Sequence, residues 1–181
     1  MKYPIQFLLT LAMMAITTLA VADDGIRVFS KYAGYGHDTA VDMVEDGFFT
    51  SLTHAEGKGT FGRSTLAISV EFIPDDSQMV NCPEGYGYEL SFAVVPDNFW
   101  AFVVTAADHS QVFGLFNSGW MCMTENGIRW EGQTQGFYAG GTGRYEGAGG
   151  TWVSNFQGVN LDPVTGLRSI NGDVIGTLYL P

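Results

Sequence analysis

The chain is poor in basic residues, cysteine and histidine. Its 181 residues include eight Lys and Arg against 19 Asp and Glu, with two cysteines and three histidines. The formal net charge of −11 repels nucleic acid and anionic lipid, so we expect neither as a partner. His37 and His54 have no partner at the short spacings typical of metal sites, and no Gly-x-Ser-x-Gly elbow occurs. Hydrolase and metalloenzyme functions are therefore disfavoured, and the sequence predicts no metal and no cofactor.

The N-terminus carries the features of a signal peptide. Lys2 supplies a positive charge, residues 7–16 are apolar, and the small-x-small tripeptide at 20–22 is a cleavage site. A membrane anchor is the alternative, but threonines dilute the apolar stretch and no basic stop-transfer cluster follows it. We therefore predict a secreted or periplasmic protein that begins at Asp23 and does not associate with the membrane after cleavage.

The two cysteines predict a single disulfide. In an oxidising compartment, Cys82 and Cys122 most simply pair with each other, because neither has a second Cys or His at metal-binding spacing. The bridge closes a loop of about 40 residues, which is worth roughly 4 kcal/mol in the chain-entropy account of disulfide stabilisation. It would connect the strand near Cys122 to the loop around Cys82.

A period of two in hydrophobicity dominates the rest of the chain. Leu66, Ile68 and Val70 alternate with polar residues, which is the pattern of a half-buried strand. Glycine makes up about 15% of the 159 residues that follow the cleavage site, and together with abundant aromatics it indicates an all-β protein. About eight strands are predicted, at residues 60–73, 88–94, 99–106, 111–116, 120–124, 128–138, 151–157 and 169–180.

These patterns divide the chain into three parts. The signal peptide covers residues 1–22, and an N-terminal segment at 23–59 contains a short helix or turn suggested by the spacing of apolar residues in 37–46. The β-barrel domain is predicted to cover 60–181, with the alternative that its first strand begins earlier, near residue 26. One domain of this length is enough for a sizeable core.

Glycine is densest in the segment 140–150, which reads GGTGRYEGAGG. A phosphate-binding loop is one interpretation, but such loops precede a helix and this segment precedes the strand-like Thr151-Trp152-Val153. A structural role at a close approach of two strands is the other interpretation, and we favour it. The glycines of this structural motif are Gly140, Gly141, Gly143, Gly147, Gly149 and Gly150.

The glycine segment resembles the Gly-Gly-Thr/Ser-Gly-aromatic-Gly signature of allene oxide cyclases and dirigent proteins. Residues 57–62 and 172–177 are similar to the strand segments found earlier and last in such barrels. The resemblance implies a single eight-stranded antiparallel β-barrel that binds or cyclises a hydrophobic small molecule. It also implies a homo-oligomer, as many of these barrels are trimers. Closure of eight strands leaves an interior wide enough for side chains or one small ligand.

Candidate catalytic residues are few. Glu71 and Glu89 lie on predicted strands, where alternation places both carboxylates on the solvent face, opposite the apolar side chains. Arg144 matches the basic position of the dirigent glycine motif, and we expect it to support the turn of the chain there. No pocket carboxylate of the plant enzymes aligns with a position of this sequence.

Tyr138, Trp152 and Phe156 are the candidate ligand-binding residues, with packing in the core as the alternative role. Two functions follow. The first is a secreted barrel without catalytic activity that binds an apolar small molecule or acts as a structural or interaction module. The second is a cyclase or stereo-directing enzyme, whose shaped pocket would hold a reactive intermediate in a near-attack geometry and would need few acidic or basic residues.

Overall fold

The alternating segments form nine strands in the computed structural model, which describes residues 24–39, 50–71, 81–86, 88–92 and 101–181. A single turn of 3₁₀ helix, Gly143–Tyr145, connects the seventh strand to the eighth. The strands are β1 (Ile26–Asp38), β2 (Ser51–Gly59), β3 (Gly62–Val70), β4 (Tyr88–Phe92), β5 (Ala101–Ala106), β6 (Gln111–Met123), β7 (Arg129–Gly141), β8 (Gly149–Asp162) and β9 (Leu167–Tyr179).

Eight of these strands close into an antiparallel barrel. Their order around the ring is β6, β5, β3, β2, β1, β9, β8 and β7, and pairing of β7 with β6 completes the circle. The ninth strand, β4, pairs with residues 119–123 of β6, whereas β5 pairs with residues 111–115 of the same strand. Both therefore border the same long strand at different heights. The predicted eight-stranded barrel is confirmed, and closure leaves the eight ring strands with a neighbour on either side.

The inward faces of the strands form the core. Buried apolar side chains come from the ring strands and from the turns between them, and the largest are aromatic. At one end of the barrel, which we call the glycine end, Phe61 and Tyr145 pack edge to face with their ring centroids 5.6 Å apart. The glycine segment folds Tyr145 over this end, where it is almost fully buried. We call the opposite end the arginine end, because Arg168 lies there beside Asp38 and Ser51.

The first strand of the barrel, β1, begins at Ile26. The strand β2 was not recognised in the sequence, because its inward residues include Ala55 and Gly57, which are too small to produce a hydrophobic alternation. The signal peptide at 1–22 and most of the predicted helix or turn, from residue 40 onward, lie outside the described residues.

The predicted turn at residues 117–119 is wrong. Residues 111–123 form one continuous strand, with a register shift between Phe116 and Ser118 in its pairing with β7. A bulge of this kind adds one residue to one strand and changes which face the following side chains occupy. The side chains that line the interior therefore change from even-numbered to odd-numbered positions at the bulge. Asn117-Ser118-Gly119 is typical of a turn, but here it lies within the strand.

The disulfide between Cys82 and Cys122 is confirmed, with the two Cα atoms 5.7 Å apart. Cys122 lies on β6 and is fully buried, opposite residue 89 of β4 in the strand register. The bridge therefore attaches the segment before β4 to β6, which is also the strand with which β4 pairs. A formed disulfide is consistent with an oxidising compartment. Within the described residues, no helix is long and apolar enough to cross a membrane.

Replacement of both cysteines by serine should lower the free energy of unfolding by roughly 4 kcal/mol, because the unfolded chain regains the freedom of a 40-residue loop. Urea unfolding followed by tryptophan fluorescence measures the difference. Reduction of the native protein should produce a loss of the same size and should leave the double variant unchanged. Equal stability of the native protein and the double variant would contradict the expected role of the bridge.

Two adjacent glycines provide a matched test of the glycine segment. Gly150 has φ of +124°, and a Cβ built there would overlap the carbonyl of Thr177 on β9, whereas a Cβ at Gly149 meets nothing within 4 Å. Gly150→Ala should therefore destabilise the barrel by at least about 2 kcal/mol through backbone strain and the clash. Gly149→Ala should change the unfolding midpoint little. Thermal unfolding of both variants tests this difference between the two positions, and equal unfolding midpoints would contradict the explanation.

Candidate functional site

The barrel interior contains a cavity with a volume of about 120 Å³. Its wall is mainly aromatic and aliphatic, with contributions from Leu66, Phe102, Phe116, Trp152 and Ile170. Most inward positions of an eight-stranded barrel are filled by side chains, and the remaining space here is comparable to an apolar cavity of about 150 Å³ that accepts a benzene molecule. We take this cavity, which is lined by described residues, as the candidate site.

Four aromatic rings form one side of the cavity. The ring centroid of Trp152 lies 5.0 Å from that of Phe102 and 5.1 Å from that of Phe116, both edge to face. Tyr138 extends the cluster with a centroid 6.4 Å from that of Phe102. Edge-to-face pairs at these distances are favourable beyond the area that they bury, so the cluster is a rigid wall.

Glycines on neighbouring strands make room for the rings. Phe102 is paired with Gly114 in the strand register, and Trp152 with Gly136. A Cβ at Gly136 would lie 2.6 Å from the Trp152 ring, and one at Gly114 would overlap the Phe102 ring. The same pairing of a large inward ring with an inward glycine recurs around the barrel, at Tyr32 with Gly172, Phe156 with Gly132 and Trp130 with Gly158.

Some polar atoms of the cavity wall have no hydrogen-bond partner. Among the described residues that line it, these buried atoms are Ser30 Oγ, Tyr138 Oη, Trp130 Nε1, Trp152 Nε1 and Arg168 Nε. The three nitrogens can only donate a hydrogen bond, and the two hydroxyls can donate or accept. In contrast, Tyr32 Oη and Ser154 Oγ form a hydrogen bond of 2.9 Å with each other across the interior. The unpartnered set is thus dominated by donors.

The two interior tyrosines are held in their neutral form. Burial raises the pKa of Tyr32 to about 12, although its hydrogen bond with Ser154 opposes the shift. Burial also raises the pKa of Tyr138 well above its usual value. A buried phenolate is unfavourable because the charge loses its hydration. Tyr138 therefore keeps its hydroxyl proton at neutral pH.

Arg168 brings the positive charge of the cavity wall. It lies at the start of β9 on the inward face, and its Nη2 donates to Asp38 Oδ1 and, over 3.0 Å, to Ser51 Oγ. Its side chain is only 15% exposed, whereas that of Asp38 is 42% exposed. The ion pair thus runs from the arginine end of the cavity toward solvent.

The predicted ligand-binding residues Tyr138, Trp152 and Phe156 all line the cavity, so the structure brings them together. All three are also members of the buried core, and their role toward a ligand stays a prediction. Sequence reasoning missed Ser30, Trp130 and Arg168. Trp130 lies inside a predicted strand, and its position in the alternation places it on the inward face. Arg168 comes just before the predicted strand at 169–180, so no alternation pointed to it.

The solvent-facing placement of Glu71 is wrong. Its side chain is fully buried, and its carboxylate Oε2 accepts a hydrogen bond of 3.0 Å from Thr50 Oγ1. The strand β3 ends at Val70, so alternation no longer applies to Glu71, and the two consecutive residues are both buried. Glu71 is not among the residues that line the cavity. The backbone of Glu89 belongs to β4, but its side chain lies outside what the structure describes.

Arg144 lies outside the cavity at the glycine end. Its guanidinium is 4.8 Å from the centroid of the Tyr145 ring, and its Nε is 3.4 Å from Asp108 Oδ2. The Ser110 backbone N–H, more than the arginine, lowers the pKa of Asp108. Both charged side chains are about half exposed, so the pair contributes little to stability. The described residues contain no cluster of three or more His, Cys, Asp or Glu that could hold a metal ion.

Comparisons with known proteins add one similarity of fold. No family model and no curated protein matches the chain. The solved structure of a pterocarpan synthase dirigent protein matches with a TM-score of 0.39 and 12% sequence identity, over 84% of this chain and 86% of that one. The matched structure is that of a dirigent protein, and dirigent proteins are one of the families that the glycine segment resembles. At this TM-score and identity, the likeness carries no information about activity.

The raised pKa of Tyr138 predicts a loss of stability at alkaline pH. Above about pH 10 the unfolded state releases the tyrosine proton that the native state keeps, so the free energy of unfolding falls as pH rises. The contribution of Tyr138 to the free energy of unfolding is fully present below pH 10 and decreases by up to about 1.4 kcal/mol per pH unit above it. Tyr138→Phe should make this fall less steep by that amount.

The matched control is Tyr35→Phe, because Tyr35 is 63% exposed and so lacks the burial that acts on Tyr138. Urea unfolding at a series of pH values between 9 and 12 measures both variants against the native protein. Parallel curves for the native protein and Tyr138→Phe would show that the Tyr138 hydroxyl is not held neutral by burial.

Proposed function

We propose that the barrel binds an apolar small molecule that carries oxygen acceptors. The observation that supports this function is a cavity with an apolar wall, whose lining residues include some with buried hydrogen-bond donors that have no partner. A buried donor that lacks a partner costs about 1–3 kcal/mol, and an acceptor atom of a ligand would remove that cost. The apolar wall would contribute in proportion to the ligand surface that it covers.

The chemistry of three lining residues indicates the class of ligand; these are Trp130, Trp152 and Tyr138. The two indole N–H groups can donate a hydrogen bond but cannot accept one. A ligand atom that binds to them must therefore be an acceptor, such as a carbonyl, ether or hydroxyl oxygen. Their rings supply flat apolar surface on the same side chains. A molecule with an apolar skeleton and a few oxygen atoms satisfies both requirements, whereas a sugar or a nucleotide would place many donors and charges against aromatic rings.

Catalysis by proton transfer has less support. The described residues that line the cavity include no carboxylate and no histidine, so their ionisable groups are Arg168 and the two neutral tyrosines. The cyclase or stereo-directing activity remains the alternative, since a rigid aromatic wall could hold a reactive intermediate in one geometry without an acid or base. Such an activity would use the same binding cavity. The predicted export of the protein fits the disulfide that the structure contains.

The test is binding of toluene, a neutral apolar molecule of the size that a cavity of this volume accepts, followed by isothermal titration calorimetry. We expect saturable binding to the native protein, and loss of affinity by at least about tenfold in Val104→Phe, because Val104 lines the cavity and the larger ring fills it.

Val103→Phe is the matched control, since Val103 precedes Val104 on β5 and points to the outer face. It should bind toluene as the native protein does. Absence of saturable binding to the native protein, or equal weakening by both variants, would contradict a binding role for the interior.

A further inference from the structure

We propose that the outer face of strands β1, β2 and β3 binds an acidic oligosaccharide through Lys31, Lys58 and Arg63. This site lies on the exterior of the barrel and is independent of the function proposed for its interior. The three basic residues lie side by side on adjacent strands, since Lys31 pairs with Lys58 and Lys58 pairs with Arg63 in the strand register. All three are exposed, and they line an open groove with a volume of about 1300 Å³, which we call the basic groove.

The basic groove is a local exception in an acidic chain. Strands β1, β2, β3 and β5 contain four of the eight Lys and Arg residues but only two of the 19 Asp and Glu residues, which are Asp38 and Glu56. Asp38 is paired with Arg168, and Glu56 is the one carboxylate among the described residues that line the groove. Exposed charges are largely screened from each other beyond about 8 Å at physiological ionic strength. A bound ligand would therefore experience mainly this local positive charge.

The three basic side chains have no partner of their own. No hydrogen bond or ion pair joins any of them to another described residue. Asp173 lies opposite Lys31 on β9, but its Oδ1 accepts a hydrogen bond from Asn155. Like charges directly opposite each other on neighbouring strands destabilise a sheet, so the position of Lys58 between Lys31 and Arg63 is unfavourable. An anionic ligand in contact with the three side chains would remove this repulsion.

The rest of the groove has the chemistry that a sugar requires. Ala33, Glu56 and Thr65 form the next row across the same three strands, two residues along each strand from the basic row. The Glu56 carboxylate accepts hydrogen bonds and the Thr65 hydroxyl donates or accepts them, so both can bind the hydroxyl groups of a sugar. Tyr35 lies two residues beyond Ala33 and is 63% exposed. Its ring offers a flat apolar surface to the C–H face of a sugar ring.

The same geometry disfavours a single inorganic anion and a peptide. The basic row extends over two strand spacings, roughly 10 Å, so its ligand must carry several anionic groups. Strands β1, β2 and β3 are paired on both sides, which leaves no strand edge to which a peptide could add. Protein partners also depend on apolar anchors, and the outward side chains of β1, β2 and β3 that line the groove include no large aliphatic residue.

Three oligomers of equal length test the proposal by isothermal titration calorimetry: an oligogalacturonate, its methyl ester and an oligoglutamate. The oligogalacturonate should bind at least about tenfold more tightly than the ester, which keeps the sugar rings and loses the charge. The oligoglutamate keeps the charge and lacks the sugar rings, so it should also bind more weakly. Binding of the oligoglutamate as tight as that of the oligogalacturonate would assign the groove to an acidic peptide and overturn the proposal.

Lys58→Gln should weaken binding of the oligogalacturonate by about fivefold, because it removes the positive charge at the centre of the row. Its affinity for the methyl ester should change little. Arg27→Gln is the matched control, since Arg27 is exposed on β1 outside the groove and the substitution changes the net charge equally. It should leave both affinities unchanged. Tyr35→Ala should weaken binding of the oligogalacturonate and of its ester, because both use the ring.

The results also separate this inference from the function of the interior, which the binding of toluene tests. If the native protein does not bind the oligogalacturonate, or binds the methyl ester equally well, the proposal is overturned whether or not toluene binds. If Lys58→Gln and Arg27→Gln weaken binding equally, the ligand responds to net charge and not to the basic groove, which also overturns the proposal.

Discussion

The pairing of large inward rings with inward glycines is the constraint on which this barrel depends. Eight strands enclose too little space for an aromatic side chain at every inward position. Tyr32 lies between Gly57 and Gly172, Phe156 between Gly132 and Gly172, and Trp152 between Gly136 and Gly176 in the strand register. Each ring therefore extends over a neighbouring backbone that has no side chain. This arrangement explains why glycine and aromatic residues are both abundant, and it leaves a cavity with aromatic walls.

The two ends of the barrel differ, and the difference gives the cavity a direction. At the glycine end, Tyr145 packs on Phe61 and both side chains are buried, so this end is filled by the protein itself. At the arginine end, Arg168 is held by polar groups of two other strands and keeps one donor without a partner. A molecule bound as we propose would therefore meet different surroundings at its two ends.

Much of the fold could be predicted from the sequence, because strand alternation is a local property. Leu66, Val70 and Phe102 lie inward as the pattern indicates, and the disulfide follows from the presence of two cysteines. The prediction failed where local phase was broken: at the bulge in β6, at Glu71 one residue beyond β3, and in β2, whose inward residues are small. Three of the cavity aromatics, Tyr138, Trp152 and Phe156, were named from the sequence because they are large and lie on or beside predicted strands. The donors beside them were not, because a missing hydrogen bond is visible only in three dimensions.

The amino-acid sequence by itself determined the class of the protein: a β-rich chain with one bridge, a low content of basic residues and a glycine segment too dense for a helix. These properties depend on each residue and its close neighbours along the chain. Tertiary structure alone decided the site. Arg168 meets Asp38 and Ser51 from positions 130 and 117 residues away, and only closure of the ring with its particular register brings them to one end of one cavity. Register over such separations is set by the packing of all the strands together, and no short segment of the chain contains it.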